Sequence, residues 1–258
     1  MNLSSVRGIL FDISGVLYVG SKAIDGAIEA VEKIKRAGYP CRFITNTSTL
    51  SLQSLHRGLL EKGFTVEQEE ILSATQAAKI YLGQQRGSSC FLLLADDAKK
   101  DFSEFRQSDQ SADYIVVGDI GTAWNYALMN RTFKLLRNGA GLIAIHKNRY
   151  WQTDEGLQMD LGGFVAALEY ASNREAMIIG KPSGNFFAMA LKDLNLTASE
   201  VVIVGDDIDS DIGGGQKAGL TGILVQTGKY RRDEVENSPV NPDYTLESVR
   251  DLPGLLGL

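Results

Sequence analysis

This sequence lacks an excess of positive charge. Its 258 residues include 26 Lys or Arg against 32 Asp or Glu, a net charge of −6. It therefore has no broad cationic surface of the kind that a nucleic-acid backbone requires, and nucleic acid is excluded as an expected partner. Cysteine is also scarce. Cys41 and Cys90 stand singly inside apolar runs, without the spacing of a metal or redox pair, and read as buried reduced thiols in a cytoplasmic protein. No apolar run approaches the length that spans a bilayer, and the first is broken by Asp12, Ser14 and Gly15 with no small-residue cleavage site after it. Neither a membrane segment nor an export signal is expected. Fixed-period repeats and low-complexity tracts are missing as well. With 44% hydrophobic and 22% charged residues, the chain can bury one large core or two smaller ones, and two domains are expected.

From Val6 to about Ile80, short apolar runs alternate with helical patterns, as in βαβ units. A first strand ends at Phe11 and hands Asp12 to a glycine-containing loop. Ile24, Ile28, Val31 and Ile34 then recur at helical spacing before Gly38. A second strand, 40–44, ends at Thr45, and Leu52, Leu55, Leu59 and Leu60 mark the next helix. Ser73 is a candidate cap for a helix to Arg86. Further strands are expected at 90–94, 114–117 and 142–145, with a helix over 123–137. Polar breaks near 86–89 and 173–175 suggest that this middle region is an inserted unit. Beyond it, 176–180 reads as a buried core strand delivering Lys181. The run 201–204 is a fully apolar strand leading into Gly205-Asp206-Asp207 and Asp211. The expected fold is α/β: a Rossmann-like parallel-sheet core of residues 1–77 and 179–258, with a smaller α/β cap domain over 78–178.

In a parallel sheet the ends carrying Asp12, Thr45, Lys181 and the group Asp206, Asp207 and Asp211 share one edge, where open α/β folds place their sites. Several carboxylates held together repel unless a cation neutralises them. A hard divalent ion with oxygen ligands suits such a group, and Mg²⁺ suits it where phosphate also binds. Asp12 and Asp206 are the expected ligands, with Asp207 and Asp211 in support. An Asp beside the metal can also serve as nucleophile, while Lys181 and the Thr45 hydroxyl stabilise the phosphoryl oxygens.

These segments, Asp12-x-Ser14-Gly15-Val16-Leu17, Phe43-Ile44-Thr45-Asn46, Gly180-Lys181-Pro182 and Gly205-Asp206-Asp207-x-x-x-Asp211, resemble in order the four motifs of the haloacid dehalogenase superfamily. The long insertion between the second and third motifs resembles the subgroup with a large α/β cap. The resemblance covers almost the whole chain, and Thr227-Gly228-Lys229-Tyr230 narrows it to one group of phosphatases. It implies a Mg²⁺-dependent phosphatase acting on a small phosphorylated compound, pyrophosphate or a phosphoramidate such as phosphohistidine. Asp12 would form an aspartyl-phosphate, Thr45, Asn46 and Lys181 would hold substrate, and the Ser14 backbone carbonyl would join Asp12 and Asp206 on the metal. One position departs from the pattern. Most phosphatases of the superfamily carry a second Asp, a general acid, where this chain has Ser14. A serine hydroxyl has no usable pKa near neutrality, so a contribution of roughly 10²–10⁴-fold would be lost. Substrates with easy leaving groups are therefore expected, and the competing reading is a catalytically weak binding or regulatory protein.

The runs Leu94-Ala95-Asp96-Asp97 and Val116-Val117-Gly118-Asp119 imitate the last motif without its downstream Asp and read as strand-end turns. The run from His146 to Trp151 mixes cations and aromatics; it reads equally as a surface that contacts substrate and as a solvated edge with Trp151 packed down. His56 reads as a surface residue, and the glycines 213–215 as a packing device rather than a phosphate loop. A homodimer through apolar cap residues is compatible with the sequence.

Overall fold

In the computed structural model, which describes residues 3–153 and 156–258, six parallel strands form the main sheet. In spatial order they are Tyr244–Leu246, Thr221–Val225, Val201–Gly205, Gly8–Asp12, Cys41–Thr45 and Ile71–Ser73. The two central strands are buried along their whole length, because helices cover both faces of a parallel sheet and leave no wet side. Alternation still sorts their side chains. Leu10 and Ile203 enter one apolar cluster, whereas Ile9, Phe11, Val202 and Val204 enter another on the opposite face. Strand order runs one way from Gly8–Asp12 to Ile71–Ser73 and, after the insertion, the other way from Val201–Gly205 to Tyr244–Leu246. The switch point lies between Asp12 and Asp206, where a doubly wound sheet leaves a crevice.

The helix Ala27–Arg36 buries Ala27, Ala30, Val31 and Ile34 and ends on Lys33, Lys35 and Arg36, cations that favour a helix C-terminus. The buried stripe is rotated from the expected one: Ile28 is only half-buried, and Ala27 and Ala30 face the sheet. Helix Gly184–Leu194 buries Phe186, Phe187, Ala190 and Leu194.

The inserted region forms a second parallel sheet, in the order Met177–Ile178, Gly141–Ala144, Tyr114–Val117 and Cys90–Leu93. One expectation is corrected here. The segment 176–180 is not a core strand: Met177–Ile178 pairs with Gly141–Ala144 at the edge of the inserted sheet. Two further bonds, Ile179 N–H to Ala144 O at 3.0 Å and Gly180 N–H to Ile145 O at 2.9 Å, carry this ladder up to the residue before Lys181. A short apolar run satisfies either sheet equally, and the partner is chosen by an edge 30 residues or more away in sequence.

A single apolar cluster extends from Leu10 and Ile44 through Phe186 and Phe187 to Leu93, Ile115 and Ile143, so the two sheets share one hydrophobic body. Polar ties reinforce it. Asp97 Oδ2 accepts from Ser51 N–H at 2.8 Å and Ser51 Oγ at 3.0 Å, and Asp101 Oδ2 accepts from Leu52 N–H at 2.9 Å, which caps the core helix Leu52–Glu61 from the inserted unit. Asp119 N–H donates to Ser48 Oγ at 2.9 Å. The two motif look-alikes thus fasten the cap to the core. Among the described residues, no helix is long and apolar enough to cross a membrane.

Candidate active site

Register brings the site together. Phe11 pairs with Val204 and with Phe43, so Asp12, Thr45 and Asp206 emerge at adjacent strand ends. Asp12, Asp206 and Asp211 are all buried, and each offers an oxygen within 4.8 Å of the others. Lys181, also buried, reaches between them: its Nζ donates a short hydrogen bond to Asp12 Oδ1 and lies 2.7 Å from Asp211 Oδ1. The approach to Asp211 is an ion pair by distance alone, since Oδ1 there has no partner with hydrogen-bond angles. The other oxygen of Asp211 turns back onto the loop and accepts from Asp206 N–H at 3.2 Å and Asp207 N–H at 3.1 Å.

Lys181 leaves its strand from the inserted sheet, so its place in the core needs another anchor. Asn46 supplies it. The Asn46 amide donates to Lys181 O at 2.8 Å and accepts from Lys181 N–H at 2.8 Å, a two-way clamp between residues 135 apart. Gly180 permits this approach, because a Cβ there would collide with Asn46 Oδ1 and Ile145 O. Asn46, expected to hold substrate, engages the Lys181 backbone through one N–H and its amide oxygen. Thr45 is buried with its hydroxyl 2.9 Å from Thr47 Oγ1, and it accepts Thr47 N–H at 3.1 Å. Ser14 lies exposed in the loop after Asp12. Burial pushes the neighbouring Tyr18 phenol up, a hydrogen bond with Ser14 opposes this, and the charge of Asp12 adds to it.

A second loop closes on the site. Thr227 Oγ1 donates to Gly15 O at 2.5 Å, and Lys229 N–H donates to Asp206 Oδ2 at 2.7 Å. Gly15 and Gly228 both have left-handed backbones, φ +91° and +60°, and a Cβ on either would run into the Asp206 carboxylate. Glycine is needed at both for conformation and for space. Lys229 Nζ stands 3.4 Å from Asp207 Oδ2, while Asp207 Oδ1 accepts from Asp209 N–H at 3.1 Å and Ser210 N–H at 2.9 Å. Asp207 is therefore a loop anchor paired with Lys229. Residues 227–229 were outside the sequence-derived site, although Gly228, three residues beyond the run 221–225, has the same strand-then-glycine layout as Asp12 to Gly15.

The electrostatics are unbalanced. Burial, then the charges of Asp12 and Asp211, push Asp206 far above the ordinary carboxylate range. Asp211 is raised to about 7 by burial, with Lys181 opposing and Asp12 adding. Burial alone would lower Lys181, but Asp12 and Asp211 outweigh it and hold the ammonium strongly protonated. Burial would raise Asp207, yet Lys229 and the Ser210 amide hold it below its usual value. Fully ionised, the four carboxylates would outnumber the two ammonium groups by two negative charges, an excess that adds to burial in pushing Asp206 and Asp211 toward protonation. One divalent cation would close that excess, and the oxygen-only donor set suits a hard ion.

A cavity of about 470 Å³ opens beside Asp206, between the inserted loop 147–150 and the core loops 206–210 and 229–235. Two contacts bridge its mouth: Tyr150 OH donates to Glu234, and Arg149 lies 3.6 Å from Asp209. Trp151 is 41% exposed and not packed down. His146 is buried 3.8 Å from Asp160, and His56, half-buried, bonds Val66 O at 2.8 Å.

Comparison with known proteins places this geometry. Residues 9–106 match the family described as haloacid dehalogenase-like hydrolase, and residues 178–252 one described as HAD-hydrolase-like. The chain is 38% identical to haloacid dehalogenase-like hydrolase domain-containing protein 2 of Bos taurus, over 95% of this chain and 93% of that protein. It is 36% identical to the phospholysine phosphohistidine inorganic pyrophosphate phosphatase of Bos taurus, over 98% and 95%. Among solved structures, 4-nitrophenylphosphatase from Thermotoga maritima superposes with a TM-score of 0.91 at 25% identity over 98% of both chains. The p-nitrophenyl phosphatase of Archaeoglobus fulgidus does so with a TM-score of 0.91 at 28% identity, over 97% of this chain and 99% of that one.

Proposed function

The chain belongs to the haloacid dehalogenase-like hydrolase family, and from that premise we propose that it is a Mg²⁺-dependent phosphohydrolase acting on a small phosphorylated compound, pyrophosphate or a phosphoramidate. The observation that carries this reading is the buried Asp12, Asp206 and Asp211 triad with Lys181 set between two of its members. A bound Mg²⁺, held by Asp12, the Ser14 carbonyl and Asp206 with Asp207 and Asp211 in support, would neutralise charge on the phosphoryl oxygens.

The remaining steps belong to the protein's own residues. An oxygen of Asp12 attacks phosphorus, the bond to the leaving group breaks with its electron pair, and an aspartyl-phosphate forms. Lys181 and the Thr45 hydroxyl stabilise the transferring oxygens, and the Lys181 ion pair orients Asp12 for in-line approach. Water then attacks the same phosphorus, releasing phosphate and restoring the Asp12 carboxylate. The Ser14 hydroxyl is too weak an acid to protonate the departing group at neutral pH, so the leaving group takes its proton from water. This favours leaving groups that need little help.

Phosphate release from p-nitrophenyl phosphate, pyrophosphate and a phosphoramidate, with and without Mg²⁺, tests the reading. Metal-dependent turnover lost in Asp12→Asn is expected; no metal-dependent release from any of the three would overturn it. A Ser14→Asp variant should speed hydrolysis of an alkyl phosphate more than that of pyrophosphate. Equal acceleration would remove Ser14 from leaving-group selection.

A further inference from the structure

We propose that the cavity beside Asp206 seats a leaving group that is itself anionic, and that Lys229 recognises its charge. The assignment rests on the phosphohydrolase reading and narrows its substrate class. A cavity of about 470 Å³ falls in the range of small-molecule sites and is far larger than one phosphoryl group needs. It begins at Asp206, so its occupant is whatever phosphorus is attached to.

Its wall carries charges of both signs, and most of them are already paired: Arg149 with Asp209, Lys147 with Glu169, and Glu234 with Tyr150. Among the cations that line the cavity, Lys229 is the one anchored to the carboxylate group, its backbone N–H donating to Asp206 Oδ2 at 2.7 Å. Among the described residues, the one carboxylate within ion-pair distance of its Nζ is that of Asp207, a loose contact at 3.4 Å to an anion already holding two backbone amides. The Lys229 side chain lines the cavity and is 28% exposed, so its ammonium meets an anion that enters there. In so confined a place, a charge-assisted bond to an incoming carboxylate or phosphate is strong and selective.

The test uses two aryl phosphates matched in ring. The leaving phenol of one carries a para carboxylate, and that of the other its methyl ester. The ester has the more acidic phenol, so intrinsic reactivity works against the expected preference. Wild type should show a kcat/KM ratio of acid to ester of about ten or more. That ratio should fall at least tenfold in Lys229→Met and be largely retained in Lys229→Arg. Both substrates are read on one preparation, so partial misfolding leaves the ratio intact. A wild-type ratio near one, or a ratio unmoved in Lys229→Met, overturns the proposal.

A binding arm separates this from failure of the phosphohydrolase reading. With saturating Mg²⁺, 3-phosphonopropionate should bind wild type at least tenfold more tightly than propylphosphonate, a preference lost in Lys229→Met. If neither aryl phosphate turns over while that preference holds, the phosphohydrolase reading fails and the cavity assignment stands. Turnover without any charge preference in either arm leaves the phosphohydrolase reading standing and overturns the cavity assignment.

Discussion

Removing the Asn46 side chain tests how Lys181 is held. Asn46→Ala deletes both bonds of the clamp and leaves a backbone N–H and C=O of Lys181 without partners. Each bond contributes about 0.5–1.5 kcal/mol net, and a stranded buried polar group costs about 1–3 kcal/mol. The site is half-buried, so water recovers part of that loss, and we expect a destabilisation of about 2 kcal/mol in urea melts. Function should suffer more than stability. No main-sheet strand delivers Lys181, so loss of the clamp lets its ammonium drift from Asp12 and Asp211. A misplacement on the order of 1 Å costs roughly 10²-fold. Turnover of p-nitrophenyl phosphate should therefore show kcat reduced roughly 10- to 100-fold with KM little changed. Asn46→Asp sharpens the test. It keeps an acceptor for Lys181 N–H but sets an anion against Lys181 O, so this near-isostere should be less stable than alanine by about 1 kcal/mol. An alanine variant with kcat within twofold of wild type and stability within about 0.5 kcal/mol would refute the clamp, as would an Asp variant that behaves like wild type.

Gly228→Ala forces a side chain into the left-handed region and into the Asp206 carboxylate; a loss of at least about 2 kcal/mol in thermal melts, with loss of phosphate release, is expected. Burial holds His146 below its ordinary value of 6.5, with Asp160 and Asp119 raising it and Lys229 and Lys181 lowering it. The folded state thus refuses a proton that the unfolded chain accepts, and stability present above pH 6.5 is lost on acidification by up to about 1.4 kcal/mol per pH unit. His146→Gln should flatten the urea-midpoint profile between pH 7.5 and 5.5, and parallel profiles would exclude the effect. Mg²⁺ at about 100 times its dissociation constant should stabilise the protein by about 2.7 kcal/mol in a thermal-shift assay, and an Asp206→Asn variant should lose most of that gain. An equal Mg²⁺ response in wild type and variant would place the ion elsewhere.

The sequence by itself determined the strand ends. Largely apolar runs of strand length, each stopped by Asp12, Thr45 or Asp206, are readable locally, because a parallel strand covered on both faces is apolar along most of its length, with the half-buried Arg42 as the exception. Helices at 3.6-residue spacing between those runs imply the doubly wound sheet, and that sheet puts the ends along one edge. Tertiary structure decided the rest. Whether Met177–Ile178 joined the core or the inserted sheet depended on which edge was open, and an apolar run carries no mark of its partner. That Asn46 meets the Lys181 backbone, that Asp97 meets the start of a helix in the other unit, and that Lys229 meets Asp207 follow from contacts spanning 22 to 135 residues. Periodicity describes one element's surroundings on average, whereas a hydrogen bond or ion pair needs two particular atoms within about 3 Å, and only the folded chain brings those atoms together.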